Sequence, residues 1–447
     1  MTTTFSSSEH HPQGDEDPPD EALLLGWAGE QMGRFGFAGH RDRDAEQQES
    51  STITYGGDAH LLTIASTGSG KGRGVIIPNL LKVRRPFIVI DPKGENYQVT
   101  AQARRDMGHR VVKLDPFNVI DDGTPSDRLN PLDLFDLPNI DVESEAQMLA
   151  NMMSLQNRGV KDPFWDEHGC GLLSGVIAAM VTTKEGDDKN LDAVFGMLMS
   201  DDCVYNLAVL LDTLGKKLPK MAYREIASFL QLPERDTRGS VLATTNSYIK
   251  CFLAEPVLST LRTSSFALPD VVSGEPLDIF LILPSDKLKS HRGLLRMWVG
   301  TLLKSITSRR HIPQQRTVFL IDECAQLEDF AFLETVITLC RGYGLQCWTF
   351  WQDLAQLKTY YPRSWETIIN NAGVIQAFGA RNYGMATQIG NLLNVNPSEF
   401  LQLPTGEQQL LMPGQPSQRS RLFDYLNDEP FKGLWTPNRF FDGNRQP

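Results

Sequence analysis

From about residue 52 onward, short apolar runs alternate with longer mixed stretches. The runs His60–Ile64, Phe87–Ile90, Arg110–Leu114, Ile279–Leu283, Val318–Ile321, Cys347–Phe350 and Val374–Phe378 are each bounded by turn residues. Short, apolar and so bounded, they predict the buried strands of a parallel sheet. A later run, Gln409–Met412, is expected to complete that sheet. Between about 141 and 265 the pattern changes. Ser144–Ser154, Trp165–Thr183, Leu191–Met199, Met221–Leu232 and Gly239–Leu253 read as helices with no clear strand among them. The predicted organisation is an α/β domain made of residues 52–140 and 266–426, with an all-α insertion at 141–265. Residues 427–447 contain Pro430, Gly433, Pro437 and Gly443 and are expected to form an irregular tail. Residues 1–51 are acidic and polar and are expected to be mostly disordered, so the folded body is predicted to start near Thr52.

Composition sharpens this picture in three ways. The chain has 447 residues, which suits one large domain plus an insertion. Its formal charge is −12, but residues 1–50 hold 11 acidic and 3 basic side chains, which leaves only −4 for the other 397. Contact with nucleic acid therefore has to come from local basic patches. The six cysteines, at 170, 203, 251, 324, 340 and 347, form no C-x-x-C pair. They read as buried free thiols in a reducing cytoplasm. No basic-then-apolar leader is present at the N-terminus, and the longest nearly apolar stretch, Leu172 to Val181, falls short of the ~20 residues a membrane helix needs.

Two strand ends carry candidate chemistry. Ala65-Ser-Thr-Gly-Ser-Gly-Lys-Gly72 follows the first apolar run. A glycine-rich loop of this kind can wrap a triphosphate with backbone N–H groups while its lysine reaches the outer phosphates. The following helix adds its positive end. Candidate nucleotide-binding residues are thus Thr67, Gly68, Ser69, Gly70, Lys71, Gly72 and Arg73. Ala65 stands where the pattern has its first glycine. Gly72 replaces a hydroxyl residue that ordinarily helps hold Mg²⁺. The plainer alternative is an ordinary Gly-Ser turn. The second strand end is Val318–Ile321 followed by Asp322 and Glu323. Asp322 is placed to hold Mg²⁺, directly or through water, and Glu323 to orient the attacking water. Otherwise they are two solvated acids. Asp91-Pro-Lys-Gly-Glu95 after Phe87–Ile90 reads as a turn, with nothing in its chemistry that demands catalysis.

Taken in order, Thr67–Gly72, Ile76-Ile-Pro-Asn-Leu-Leu81, Asp91–Glu95, Leu129–Leu132, Asp162–Trp165, Arg238–Thr245, Leu320–Glu323 and Trp351–Leu357 resemble the type IV secretion coupling protein family, the TraG/TraD-type conjugative ATPases. The resemblance covers about residues 55–412. It implies a RecA-like P-loop motor domain with an inserted all-α domain. It implies ATP and Mg²⁺ as cofactors and a ring, a homo-hexamer, when active. Gln352 would contact the γ-phosphate, the plainer alternative being a strand-capping amide. Arg341 would reach a neighbouring subunit's γ-phosphate, although a cation at a helix C-terminus is the plainer reading. Arg381 is its rival. Family members often carry glycine after the loop lysine, as Gly72 does here.

The function so implied is an ATP-hydrolysing coupling protein that drives DNA–relaxase or protein substrates into a type IV secretion channel. Its partners would be channel components, a relaxase–DNA complex or protein effectors, with DNA itself a contact. Two alternatives stay open: a nucleotide-binding substrate receptor without motor activity, and a cytoplasmic DNA-translocating ATPase unrelated to secretion. The chain departs from the family in lacking the usual N-terminal transmembrane helices. That leaves a naturally soluble member, one served by a membrane partner, or a shortened form. The first is favoured, giving a cytoplasmic protein with no span of its own, recruited to the inner membrane by a partner. The segment Lys287, Lys289, His291 and Arg292 is read as a loop facing a central pore.

Overall fold

The structure, a computed structural model, describes residues 21–28, 51–154, 163–234, 236–328 and 330–438. The disorder expected for residues 6–20 and 41–50 lies outside the described residues.

The described residues form one eleven-stranded sheet. In chain order its strands are β1 (Leu23–Ala28), β2 (Thr52–Tyr55), β3 (His60–Ala65), β4 (Phe87–Ile90), β5 (Arg110–Leu114), β6 (Leu277–Leu281), β7 (Thr317–Ile321), β8 (Leu345–Trp351), β9 (Ala372–Phe378), β10 (Glu407–Leu411) and β11 (Gln418–Arg421). Their spatial order is β2-β1-β11-β10-β9-β3-β8-β7-β4-β6-β5. The seven strands from β9 to β5 are all parallel. The remaining four add antiparallel pairings at one side. Every residue of β3, β4, β6, β7 and β8 is buried. This explains why those strands read as continuous apolar runs rather than alternating ones: helices cover both faces.

The expected α/β class with a mostly parallel sheet is what the structure shows, but the first 51 residues need a correction. Leu23–Ala28 is a buried strand between β2 and β11. Leu23, Leu24, Leu25 and Trp27 join the core on one face of the sheet. The apolar run in an otherwise polar segment was the signal, outweighed by the acidic composition around it. Asn79 fastens this strand. Its side-chain oxygen accepts from Leu24 N–H at 2.8 Å, and its amide donates to the Leu24 carbonyl at 2.8 Å. A buried polar relay runs the same way across the sheet. Trp348 Nε1 donates to Thr63 Oγ1 (2.9 Å), and Thr63 donates to Gln376 (2.7 Å). Gln376 in turn donates to Gln408, whose amide donates to the Leu25 carbonyl (2.6 Å). Each polar group is satisfied within the sheet, which fixes strand register.

Between β5 and β6 the ordered elements are helical. The longer ones are Val142–Met153, Phe164–Thr183, Leu191–Met199, Cys203–Leu214, Lys220–Gln231 and Thr237–Ile249. Among the described residues no single helix is long and apolar enough to cross a membrane. At the chain's far end, Phe431 is buried, Thr436 N–H donates to the Val99 carbonyl at 3.0 Å, and Asn438 reaches Glu95 at 2.7 Å. Residues 428–438 therefore pack back on the helix Glu95–Asp106.

That helix also carries the fold's most buried ion pair. Arg104 and Asp278 have fully buried side chains with Nε–Oδ2 at 2.7 Å. Asp278 Oδ1 also accepts from Phe87 N–H at 2.8 Å. Burial opposes ionisation of Asp278, but Arg104 and His109 together outweigh it and hold the carboxyl below its ordinary range. Asp278→Ala would leave the Arg104 guanidinium buried and uncompensated, a loss of about 3–5 kcal/mol. The urea midpoint of the variant should fall well below that of the parent protein. An unchanged midpoint would contradict this account of the pair.

Candidate nucleotide-binding site

Parallel strands deliver their carboxyl ends to one edge of the sheet, where α/β proteins bind ligands. Here that edge opens into a cavity of about 1520 Å³. Thr67 to Gly74, Asp322, Glu323 and Gln352 all line it. Strand order explains the convergence. β8 lies between β3, which feeds the glycine-rich loop, and β7, which feeds the acids. Gln352, just past β8, is thereby set between them.

The loop is self-supporting. Ser69 N–H and Oγ both donate to the Ser66 carbonyl, at 3.1 and 2.6 Å. Ser66 Oγ donates to the Gly379 carbonyl at 2.5 Å. Gly68 and Gly70 have φ of +79° and +95°, which a side chain disfavours. The chain then enters a wide π-helical turn, Gly72–Ile76, before the α-helix Ile77–Lys82. Such turns recur at functional sites.

Lys71 Nζ sits 3.2 Å from Asp322 Oδ1 and 3.4 Å from Glu323 Oε2, and donates to the Asp322 carbonyl at 2.8 Å. Burial pulls its pKa down, but the charges of Asp322 and then Glu323 outweigh that and hold it above the ordinary lysine value. Gln352 Nε2 donates to the same Glu323 Oε2 at 2.9 Å. Two neighbours position it. Gln356 accepts from Gln352 N–H at 3.0 Å, and Asp353 caps the helix Leu354–Tyr360 by accepting from Gln356 N–H at 2.8 Å.

Each acid keeps one oxygen that accepts no hydrogen bond. Glu323 Oε1 is buried without a hydrogen-bond partner, and Asp322 Oδ1 meets Lys71 as an ion pair but receives no aligned hydrogen bond. Hard oxygens of this kind fit Mg²⁺, which prefers one or two carboxylates completed by water and phosphate. Among the described residues no group of three or more acidic, His or Cys side chains forms a metal cage. Phosphates and water would have to complete the ion's shell, all the more because Gly72 offers no hydroxyl.

Other expected residues are placed differently. Arg73 lines the cavity, but its guanidinium is forked onto Asp424 with both contacts at 2.6 Å. Arg381 donates to the Thr67 carbonyl beside the loop. Arg341 is not in the cavity. It is 59% exposed, pairs with Asp58 at 2.5 Å, and precedes β8, whereas Gln352 follows it. The strand between them spans roughly 23 Å.

The structure also adds residues that sequence reasoning passed over. Asp91, Lys93 and Glu95 line the same cavity, as do Arg421 to Asp424. The first group had a signal: Asp91 follows β4 as Asp322 follows β7, and the pairing Ile90↔Ile321 sets the two acids side by side. Burial pushes the Asp91 carboxyl up to about 7, and Asp322 adds to the effect. The segment 287–292 is not a loop. It lies within the helix Ser285–Thr307, which kinks at His291, and Lys289 and Arg292 line the cavity. The start of that helix, Ser285-Asp-Lys-Leu-Lys-Ser290, is polar and has no side-chain cap to mark it off from a loop.

Comparison with known proteins agrees with this architecture. The chain is 27% identical over 361 residues to "Conjugal transfer protein TraG" of Escherichia coli, covering 76% of this chain and 56% of the relative. It is 24% identical over 324 residues to "Type IV secretion system-coupling protein VirD4" of Bartonella henselae, covering 69% and 49%. The chain thus spans about half the length of such relatives. Among solved structures, plasmid coupling protein TrwB in complex with ADP and Mg²⁺ matches with a TM-score of 0.63 at 18% identity, over 82% of this chain and 86% of that one. TrwB with the ATP analogue ADPNP matches equally well, with the same TM-score, identity and coverage. At that identity the likeness speaks to the fold alone, which is the RecA-like P-loop fold. The model of the family described as "Type IV secretory system Conjugative DNA transfer" matches residues 28–394, and the chain belongs to that family.

Proposed function

We propose that the chain binds ATP with Mg²⁺ in the cavity at the strand ends, hydrolyses it, and uses the cycle to drive substrates into a type IV secretion channel. The observation that carries this reading is the meeting of Lys71, Asp322, Glu323 and Gln352 around one cavity. Family membership supports the coupling role, as do relatives named for conjugal transfer and secretion coupling. The substrates would be a DNA–relaxase complex or protein effectors, and the working form a homo-hexamer.

In this reading the loop from Thr67 to Arg73 wraps the phosphates. Lys71 leaves its two carboxylates to meet the outer phosphates, exchanging one set of negative partners for another. Glu323, released, takes a proton from the attacking water. Asp322 holds Mg²⁺, which when bound neutralises charge on the phosphate oxygens. Gln352, bonded to Glu323 in the absence of nucleotide, swings to the γ-phosphate and reports its loss. Arg341 acts on a neighbouring subunit's site.

Lys71→Ala should cut ATP turnover by roughly 10²–10³, the usual loss when a charge-stabilising donor is removed. The same variant in the native host should fail to support substrate transfer. Hydrolysis or transfer at the parent level would overturn the assignment of this loop.

A further inference from the structure

Six cationic side chains line the cavity: Lys71, Arg73, Lys93, Lys289, Arg292 and Arg421. Four are already engaged. Lys71 pairs with Asp322 and Glu323, and Arg73 with Asp424. Arg292 pairs with Glu328 at 2.5 Å and Arg421 with Asp428 at 3.1 Å. Among the described residues, Lys93 and Lys289 alone in this set make no ion pair or hydrogen bond. Both are exposed on the cavity rim.

Lys93 is held out by a rigid mount. Asp91 is fully buried; its carboxylate accepts from Tyr97 N–H at 2.8 Å and Asn96 Nδ2 at 3.4 Å, and its carbonyl accepts from Gly94 N–H at 3.1 Å. Pro92 is buried and restricts φ. Gly94 has φ +67°, and a Cβ there would lie 2.4 Å from Ile120 Cδ1. Lys93 is the one exposed member of the turn Asp91–Gly94. Lys289 comes from the short helical stretch before the kink at His291, and Ser285 at its start also lines the rim.

Their place in strand order is informative. Across the sheet the strands run β3, β8, β7, β4, β6. The acids after β7 therefore stand between the phosphate-wrapping loop and the two lysines. Hydrolysis has a direction on this axis. The water oxygen bonds to the γ-phosphorus on the face turned away from ADP, and its proton goes to Glu323. The bond to the β,γ-bridging oxygen breaks, and its electron pair stays on ADP. Inorganic phosphate is thus formed on the Glu323 side and moves away from the loop.

Resting on the ATPase reading above, we infer that Lys93 and Lys289 form a receiving site for the product phosphate, on its way out of the cavity. The site takes a free oxyanion rather than the nucleotide. Asp91, Pro92 and Gly94 are positioning residues for it.

The test uses the full chain, inorganic phosphate as the probe, and the variants Lys93→Ala, Lys289→Ala and the pair. Phosphate binding to ADP-loaded protein is measured by calorimetry, and phosphate inhibition of turnover alongside it. Losing charge-assisted contacts should weaken both in the double variant by roughly 10- to 100-fold. The interval between bond cleavage, read by chemical quench, and phosphate release, read by a phosphate sensor, should shorten. Lys82→Ala, exposed and away from the cavity, should match the parent. Phosphate affinity that is the same in the double variant and the parent overturns the proposal. Parent protein that binds ADP and phosphate but never cleaves ATP overturns the ATPase reading, while the calorimetry still decides the phosphate site.

Discussion

Glu323→Gln protein should bind ATP about as tightly as the parent and turn it over roughly 10²–10⁴ times more slowly, the range for losing a positioned general base. The substitution keeps shape and the hydrogen bond from Gln352 Nε2 to a side-chain oxygen. It removes the carboxylate proposed to take the water's proton, and one of the two charges that hold Lys71. Lys71 keeps Asp322 at 3.2 Å, so the loop should stay formed. Nucleotide affinity and single-turnover rate should therefore separate. If both fall together, Glu323 belongs to binding and the water-activating role is wrong.

The second large effect concerns a residue far from its own cavity. Arg341→Ala should bind ATP yet lose roughly 10³-fold or more in rate, as when an arginine finger is removed. Its exposure, and its place at the opposite end of β8 from Gln352, exclude action on its own subunit's γ-phosphate. Within the chain its partner is Asp58, which the exposed guanidinium can leave at little cost. Mixing Arg341→Ala with Glu323→Gln protein should partly restore turnover, because some interfaces then pair an intact Glu323 with an intact Arg341. An Arg341→Ala enzyme as fast as the parent would sink the role. Arg381, already beside Thr67, would then be the arginine to test.

The parallel core was legible because its strands are buried on both faces, so each shows as a short apolar run. The glycine-rich loop, Asp322 and Glu323 were legible for the same reason: strand ends are where such residues stand out. Leu23–Ala28 was missed because its apolar run lies inside an acidic segment, and its pairing with β2 and with β11, some 390 residues away in sequence, is non-local. The cationic rim was missed for a related reason. Lys93 and Lys289 reach one cavity only because β4 and β6 are neighbours, and no spacing along the chain records that adjacency. Arg73 shows the converse. It fits the loop pattern by position, yet its charge is neutralised by Asp424, more than 300 residues on.

The central claim is that this cavity hydrolyses ATP in an assembly of subunits. The most direct test is phosphate release from ATP by the purified parent chain across a range of protein concentrations, with and without single- and double-stranded DNA, beside Lys71→Ala. The account predicts turnover per subunit that rises as rings form, while Lys71→Ala stays near background throughout. Parent protein that releases phosphate no faster than Lys71→Ala at every concentration, with or without DNA, would contradict it.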